Sequence, residues 1–125
     1  MAQKRAVMTI DILGTKYTVT KKRYDDDPYF KKRSFDGYCA EYLKAIVYCD
    51  MSTAPGWEDT TPEERERSEK GTLRHEIVHA FLNESGLSSS ASGVDGPWAK
   101  HEEMVDWFAI QGPKIYEAWK AADAL

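Results

Sequence analysis

Thr72-Leu73-Arg74-His75-Glu76-Ile77-Val78-His79-Ala80-Phe81-Leu82 is the stretch on which the fold turns. Its apolar residues recur at helical spacing. At about 100° per residue, Leu73, Ile77, Ala80 and Phe81 fall on one side, with Val78 and Leu82 flanking them. What remains is a narrow polar wedge of Thr72, His75, Glu76, His79 and Asn83. A helix that is apolar around most of its circumference belongs in a core, and two histidines placed there need partners. The HExxH spacing supplies them. Four residues are slightly more than one turn, so the imidazoles of His75 and His79 project from the same side and can meet at one tetrahedral Zn2+ ion. Glu76, beside them, can take a proton from a metal-bound water, whose pKa zinc lowers towards about 7, and deliver it to a leaving amine. Zinc is therefore the expected cofactor and Glu76 the expected catalytic base. A shuffled chain of this composition would show the motif in roughly 0.4% of cases, which makes accident the lesser explanation.

The helix has a readable start. Thr61 is a candidate N-cap, Pro62 suits the first helical position, and Glu64 completes a capping box. It should run towards Asn83, where Ser85-Gly86 can end it. Gly71 is its weak point, at about 1 kcal/mol relative to alanine, and could divide it in two. Residues 85–96 (SGLSSSASGVDG) read as a loop within the domain. Pro97 then opens a helix to about Gln111, which Gly112-Pro113 should kink or end. A last helix follows, with Ile115, Ala118, Trp119 and Ala122 on one face.

A zinc site of this kind needs a third protein ligand and keeps its fourth position for water. The second helix offers His101-Glu102-Glu103. Glu102 and Asp106 lie one turn apart, so the glutamate can bind metal while the aspartate orients a ligating histidine from behind. Glu102 is favoured; Glu103, which can also share a face with Asp106, is the first alternative and His101 the second. Val105, Phe108 and Ala109 should pack inward, and Trp107 and Trp119 should fill the core. Trp98 could wall the cleft beside the metal.

Upstream the periodicity is two. Val7 to Thr20 alternates around Leu13-Gly14-Thr15, which predicts a hairpin. Asp25 to Arg33 reads as a solvated loop, Asp36-Gly37 as a turn, and Tyr38 to Leu43 and Ala45 to Tyr48 as two further strands. Asp50 to Asp59, with Pro55 and Gly56, connects them to the helices. The expectation is an α+β domain spanning residues 1–125: a small, mostly antiparallel sheet followed by the HExxH helix and a glutamate-bearing helix.

Composition narrows the function. Seventeen basic and 21 acidic residues give a net charge of -4, no overall footprint for nucleic acid. Trp57 and Trp98, read as exposed beside lysines, are the only hint of base stacking. No apolar run approaches the roughly 18 residues that span a bilayer, and the N-terminal residues carry no sustained apolar stretch, so a cytoplasmic protein without a membrane partner is expected. Cys39 and Cys49 lack CxxC spacing and read as reduced, half-buried thiols.

HEIVHAFLNESGL, beginning at His75, followed by EEMVDWFAIQGPKI, beginning at Glu102, resembles the gluzincin type of metallopeptidase. More narrowly it is similar to small phage and prophage metallopeptidase-like proteins of Firmicutes, distant relatives of the ImmA/IrrE type. The resemblance covers about Thr72 to Ile115. It implies a minimal zincin-like architecture in which an edge strand holds a protein or peptide substrate in extended form beside the metal. Tyr38 to Tyr48 could supply that edge, and Tyr38, Tyr42 or Tyr48 could stabilise an oxyanion, although aromatic packing on a strand is the simpler role for them. Two functions follow as expectations. One is a zinc-dependent metallopeptidase acting on an unidentified cytosolic protein, with His75, His79 and Glu102 as ligands and Glu76 as base. The other is a non-catalytic, zinc-stabilised protein-binding module of phage or prophage origin.

Overall fold

A computed structural model describes residues 7–33, 36–85, 100–121 and 123. Strands β1 (Val7–Ile12) and β2 (Thr15–Arg23) form the expected hairpin. Its two connecting residues, Leu13 and Gly14, have φ of 51° and 90°, a turn whose twist matches that of paired strands. The Gly14 N–H donates to the Asp11 carboxylate at 3.2 Å.

The stretch read as a solvated loop folds instead. A single 3-10 turn at Tyr24–Asp26 leads into a short helix, α1 (Pro28–Arg33). Asp27 caps it by accepting the Tyr29 N–H at 3.0 Å, and Pro28 stands where no helical N–H is needed. What overrides the surface charge of Lys31, Lys32 and Arg33 is Phe30, which the helix carries wholly into the core.

Strands β3 (Gly37–Ala40) and β4 (Ala45–Asp50) complete one sheet in the order β1-β2-β4-β3. The β1–β2 and β3–β4 pairings are antiparallel and β2–β4 is parallel. β3 stops short of the run to Leu43, and Tyr42 and Leu43 lie exposed in the connection to β4. Because side chains alternate along a strand, β4 feeds both faces of the sheet. Ile46 and Tyr48 join Ile12, Tyr17 and Val19 on one face; Val47 and Cys49 join Phe30, Met51 and Ala54 on the other. Trp57, expected to be exposed, packs partly against this second group. Both cysteines are free, and Cys39 stands opposite Ile46 rather than Cys49.

Helix α2 (Pro62–Glu84) lies across the first face through Leu73, Ile77 and Ala80. The Thr61–Glu64 capping box is formed, and Gly71 does not divide the helix. Its far end is tied to the sheet by Glu84, whose carboxylate accepts from Lys44 Nζ and the Tyr17 hydroxyl, each at 2.7 Å. Those two donors, Lys44 first, hold the Glu84 carboxyl down to about 2. Phe81 is not part of the core face; it is 41% exposed.

Helix α3 (Glu102–Ala121) packs on α2 through Val105 and Ala109, four residues apart on one stripe. That narrow stripe leaves Trp107 53% and Phe108 39% exposed, against expectation, their rings in edge contact at 5.2 Å. Pro113 lies inside the helix and does not end it. The expected last helix is therefore the continuation of α3. Pro97 and Trp98, and the side chains of Ala118, Trp119 and Ala122, lie outside the described residues. The molecule is thus a mixed α+β fold, a four-stranded sheet with helices; among the described residues no helix is long and apolar enough to cross a membrane.

α2 comes close to the sheet at Gly37. A Cβ there would meet Thr72 Cγ2 at 2.6 Å and the Val47 carbonyl at 3.0 Å. Gly37→Ala is expected to lower stability by about 1–3 kcal/mol through overpacking, read as a fall in the urea midpoint. An unchanged midpoint would show that β3 and α2 are not held at this spacing.

Candidate metal centre

The five residues of the polar wedge, Thr72, His75, Glu76, His79 and Asn83, all line one cleft of about 620 Å³ between β3, α2 and the start of α3. The wedge stays polar because it faces this cleft, while Leu73, Ile77 and Ala80 face the sheet. The rings of His75 and His79 stand 4.9 Å apart, and side-chain ligand atoms of His75, Glu76 and His79 all lie within 4.8 Å of one another.

α3 brings two carboxylates to these rings. Asp106 Oδ1 lies 2.6 Å from His75 Nδ1, and the Glu102 carboxylate lies 2.7 Å from His79 Nε2 and 3.4 Å from His75 Nε2. An ionised Asp106 only accepts, so Nδ1 of His75 carries the proton and, in the neutral ring, Nε2 presents a lone pair. That lone pair faces a Glu102 oxygen, another acceptor. Two acceptors facing each other favour a cation or proton between them, so the donor set fits a divalent metal: two imidazole nitrogens, one carboxylate, and an aspartate fixing a tautomer from behind.

The other candidates are placed elsewhere. Glu103 is exposed and lines no part of the cleft. His101 Nδ1 accepts the Met104 N–H at 3.1 Å, capping its own helix. The difference from Glu102 is one of register. Glu102 stands three residues before Val105, which packs on α2, and so shares that face.

Glu76 is only 7% exposed. Burial pushes its carboxyl up to about 7, the negative charges of Glu102 and Asp106 add to the rise, and His75 opposes it. A carboxyl at that value is matched to exchanging protons near neutral pH.

Of the tyrosines considered for an oxyanion, Tyr38 lines the cleft but has its hydroxyl engaged, and Tyr42 and Tyr48 do not line it. Tyr38 gives its hydroxyl to Asp27 at 2.5 Å, Tyr42 is almost fully exposed, and Tyr48 lines a separate pocket with Lys21 and Leu73. The cleft instead carries groups that sequence reasoning passed over. Arg74 and Lys100 line it, and so does Cys39, whose thiol burial pushes up to about 12. Lys100 Nζ lies 3.2 Å from Glu41 and 3.5 Å from Asn83 Oδ1. Only Arg74, next to His75, had a signal in its position. No protein-family model, curated protein or solved structure matches the chain.

Proposed function

We propose that the chain is a zinc-dependent peptide hydrolase with a minimal zincin-like build, acting on a protein or peptide that lies along β3. The observation that carries this reading is the convergence of His75 Nε2, His79 Nε2 and the Glu102 carboxylate beside buried Glu76 in an open cleft. His75, His79 and Glu102 would hold the ion. When bound, zinc supplies Lewis acidity towards a carbonyl and lowers the pKa of water.

The chain's own residues do the rest. Asp106 holds the His75 ring in one tautomer and one orientation. Glu76, buried beside the residues that would hold the ion, takes a proton at its carboxylate and returns it to the departing amine. β3 is the edge strand that lines the cleft, so its outer backbone groups can pair with an extended chain, a contact that tolerates many sequences.

Zinc content tests the site directly. The 125-residue chain purified without chelator is expected to hold close to one zinc per chain. Glu102→Ala should weaken zinc binding by about tenfold or more, while Glu103→Ala and His101→Ala retain it. A folded chain that takes up no zinc, or one that loses it only in Glu103→Ala, would overturn the assignment.

A further inference from the structure

Arg74 immediately precedes His75 on α2, and its side chain lines the same cleft. Its guanidinium is anchored through one nitrogen: Nε donates to the Ala109 carbonyl of α3 at 3.1 Å. That carbonyl is open because Ala109 stands four residues before Pro113, and a proline has no N–H to close the helical bond. The residue expected to kink or end the helix thus leaves an acceptor that fixes an arginine of the neighbouring helix.

An arginine offers five N–H donors in a planar fork, so four remain on the terminal nitrogens once Nε is engaged. Their surroundings are open. Gly71, one turn back, has no side chain, and a Cβ built there would meet only a terminal nitrogen of Arg74, at 3.8 Å. The other Lys and Arg side chains of the cleft have ion-pair partners: Arg67 lies 2.9 Å from Glu63 and Lys100 3.2 Å from Glu41. Asp36 also lines the cleft but makes no ion pair with Arg74, whose one bond among the described residues is to Ala109. Arg74 is therefore the cation of the cleft that the described fold leaves without a counter-charge.

We propose that Arg74 binds a carboxylate of the peptide that occupies the cleft, supplied by an acidic side chain or by the peptide's C-terminus. A guanidinium held at Nε presents its terminal donors in a fixed plane, the geometry that takes a carboxylate through two parallel hydrogen bonds. The inference rests on the hydrolase reading for the ligand being a peptide, but it concerns binding and not cleavage.

The test uses the full chain carrying Glu76→Gln, so that nothing is cleaved, and titrates it with three pentapeptides by calorimetry. One has a central glutamate and an amidated C-terminus, the second is its glutamine counterpart, and the third is the glutamine peptide with a free C-terminus. One carboxylate-bearing peptide is expected to bind roughly fivefold tighter than the neutral one, and which one does so identifies the source. The advantage should vanish in Arg74→Gln. It should shrink in Pro113→Ala, whose restored N–H competes for the Ala109 carbonyl, and in Arg74→Lys, which keeps the charge but loses the fork. If Arg74→Gln does not fold, those two variants carry the test. Equal binding of all three peptides, no measurable binding of any, or an advantage that survives every variant overturns the proposal. A chain that prefers the carboxylate but, with Glu76 intact, cleaves nothing would strike the hydrolase reading and leave this one standing.

Discussion

Replacing Glu76 by glutamine is expected to cut peptide hydrolysis by about 10²–10⁴-fold and to leave zinc content unchanged. The two residues have the same shape, so the buried position stays filled, but the amide cannot accept a proton. Zinc is held by other side chains in this reading, which separates the loss of rate from a loss of metal. Equal rates in the two proteins would remove Glu76 from the chemistry. The metal-free proteins should differ in a second way. Burial, reinforced by Glu102 and Asp106, raises the Glu76 carboxyl from its ordinary 4.5 to about 7 in the fold. The unfolded chain therefore gives up this proton first, so the stability the group allows below its ordinary value is lost as pH rises through about 7. In chelator, Glu76→Gln should melt higher than the wild type at pH 8 and at the same temperature near pH 4. A wild type without that relative loss would show that Glu76 is not raised.

Phe30→Ala should lower stability by about 3–5 kcal/mol, a large part of the roughly 5–15 kcal/mol that holds an ordinary domain. Phe30 is wholly buried among Val47, Cys49, Met51 and Ala54, with Tyr24 and Tyr38 at ring distances of 6.4 and 6.3 Å. Chemical denaturation monitored by tryptophan fluorescence reads the loss. A change within about 0.5 kcal/mol, the usual size for a surface position, would mean that α1 does not seal this face of the sheet. The cap of the same helix adds an acid sensitivity. Burial alone would raise the Asp27 carboxyl, but hydrogen bonds from Tyr38, the Tyr29 N–H and Lys22 outweigh it and hold the group below its ordinary range. Its contribution is present above the ordinary carboxylate pKa and is lost as the medium becomes more acid.

The hairpin, the capping box and the polar wedge of α2 were legible because each is written in neighbouring residues. Asp106 behind His75 was legible for the same reason, one turn from Glu102. α1 was not legible although Asp27-Pro28 is a helix-start signal, because Lys31, Lys32 and Arg33 give the segment the charge of a solvated loop and nothing local shows that Phe30 is buried. Choosing between Glu102 and Glu103 required knowing which side of α3 touches α2. Val105 and Ala109 decide that, but Trp107 and Phe108 compete with them for the apolar side in any one-dimensional reading. Pro113, expected to kink or end the helix, does not end it, and the carbonyl it leaves open is met from another helix, by Arg74, which no window around the proline contains.

The strand order gives the molecule an unequal folding itinerary. β1 and β2 can zip through a two-residue link, whereas β4 reaches β2 only after the chain has closed the long excursion that carries Thr18 to Ala45. β3 hangs on β4, and α2 lies over both. The wall and the floor of the cleft are thus assembled in the entropically costly step and not in the cheap one. A chain that has formed only the hairpin still lacks β3 and α2 against β4, so in the proposed reading the residues that would hold an ion come together only with the completed sheet.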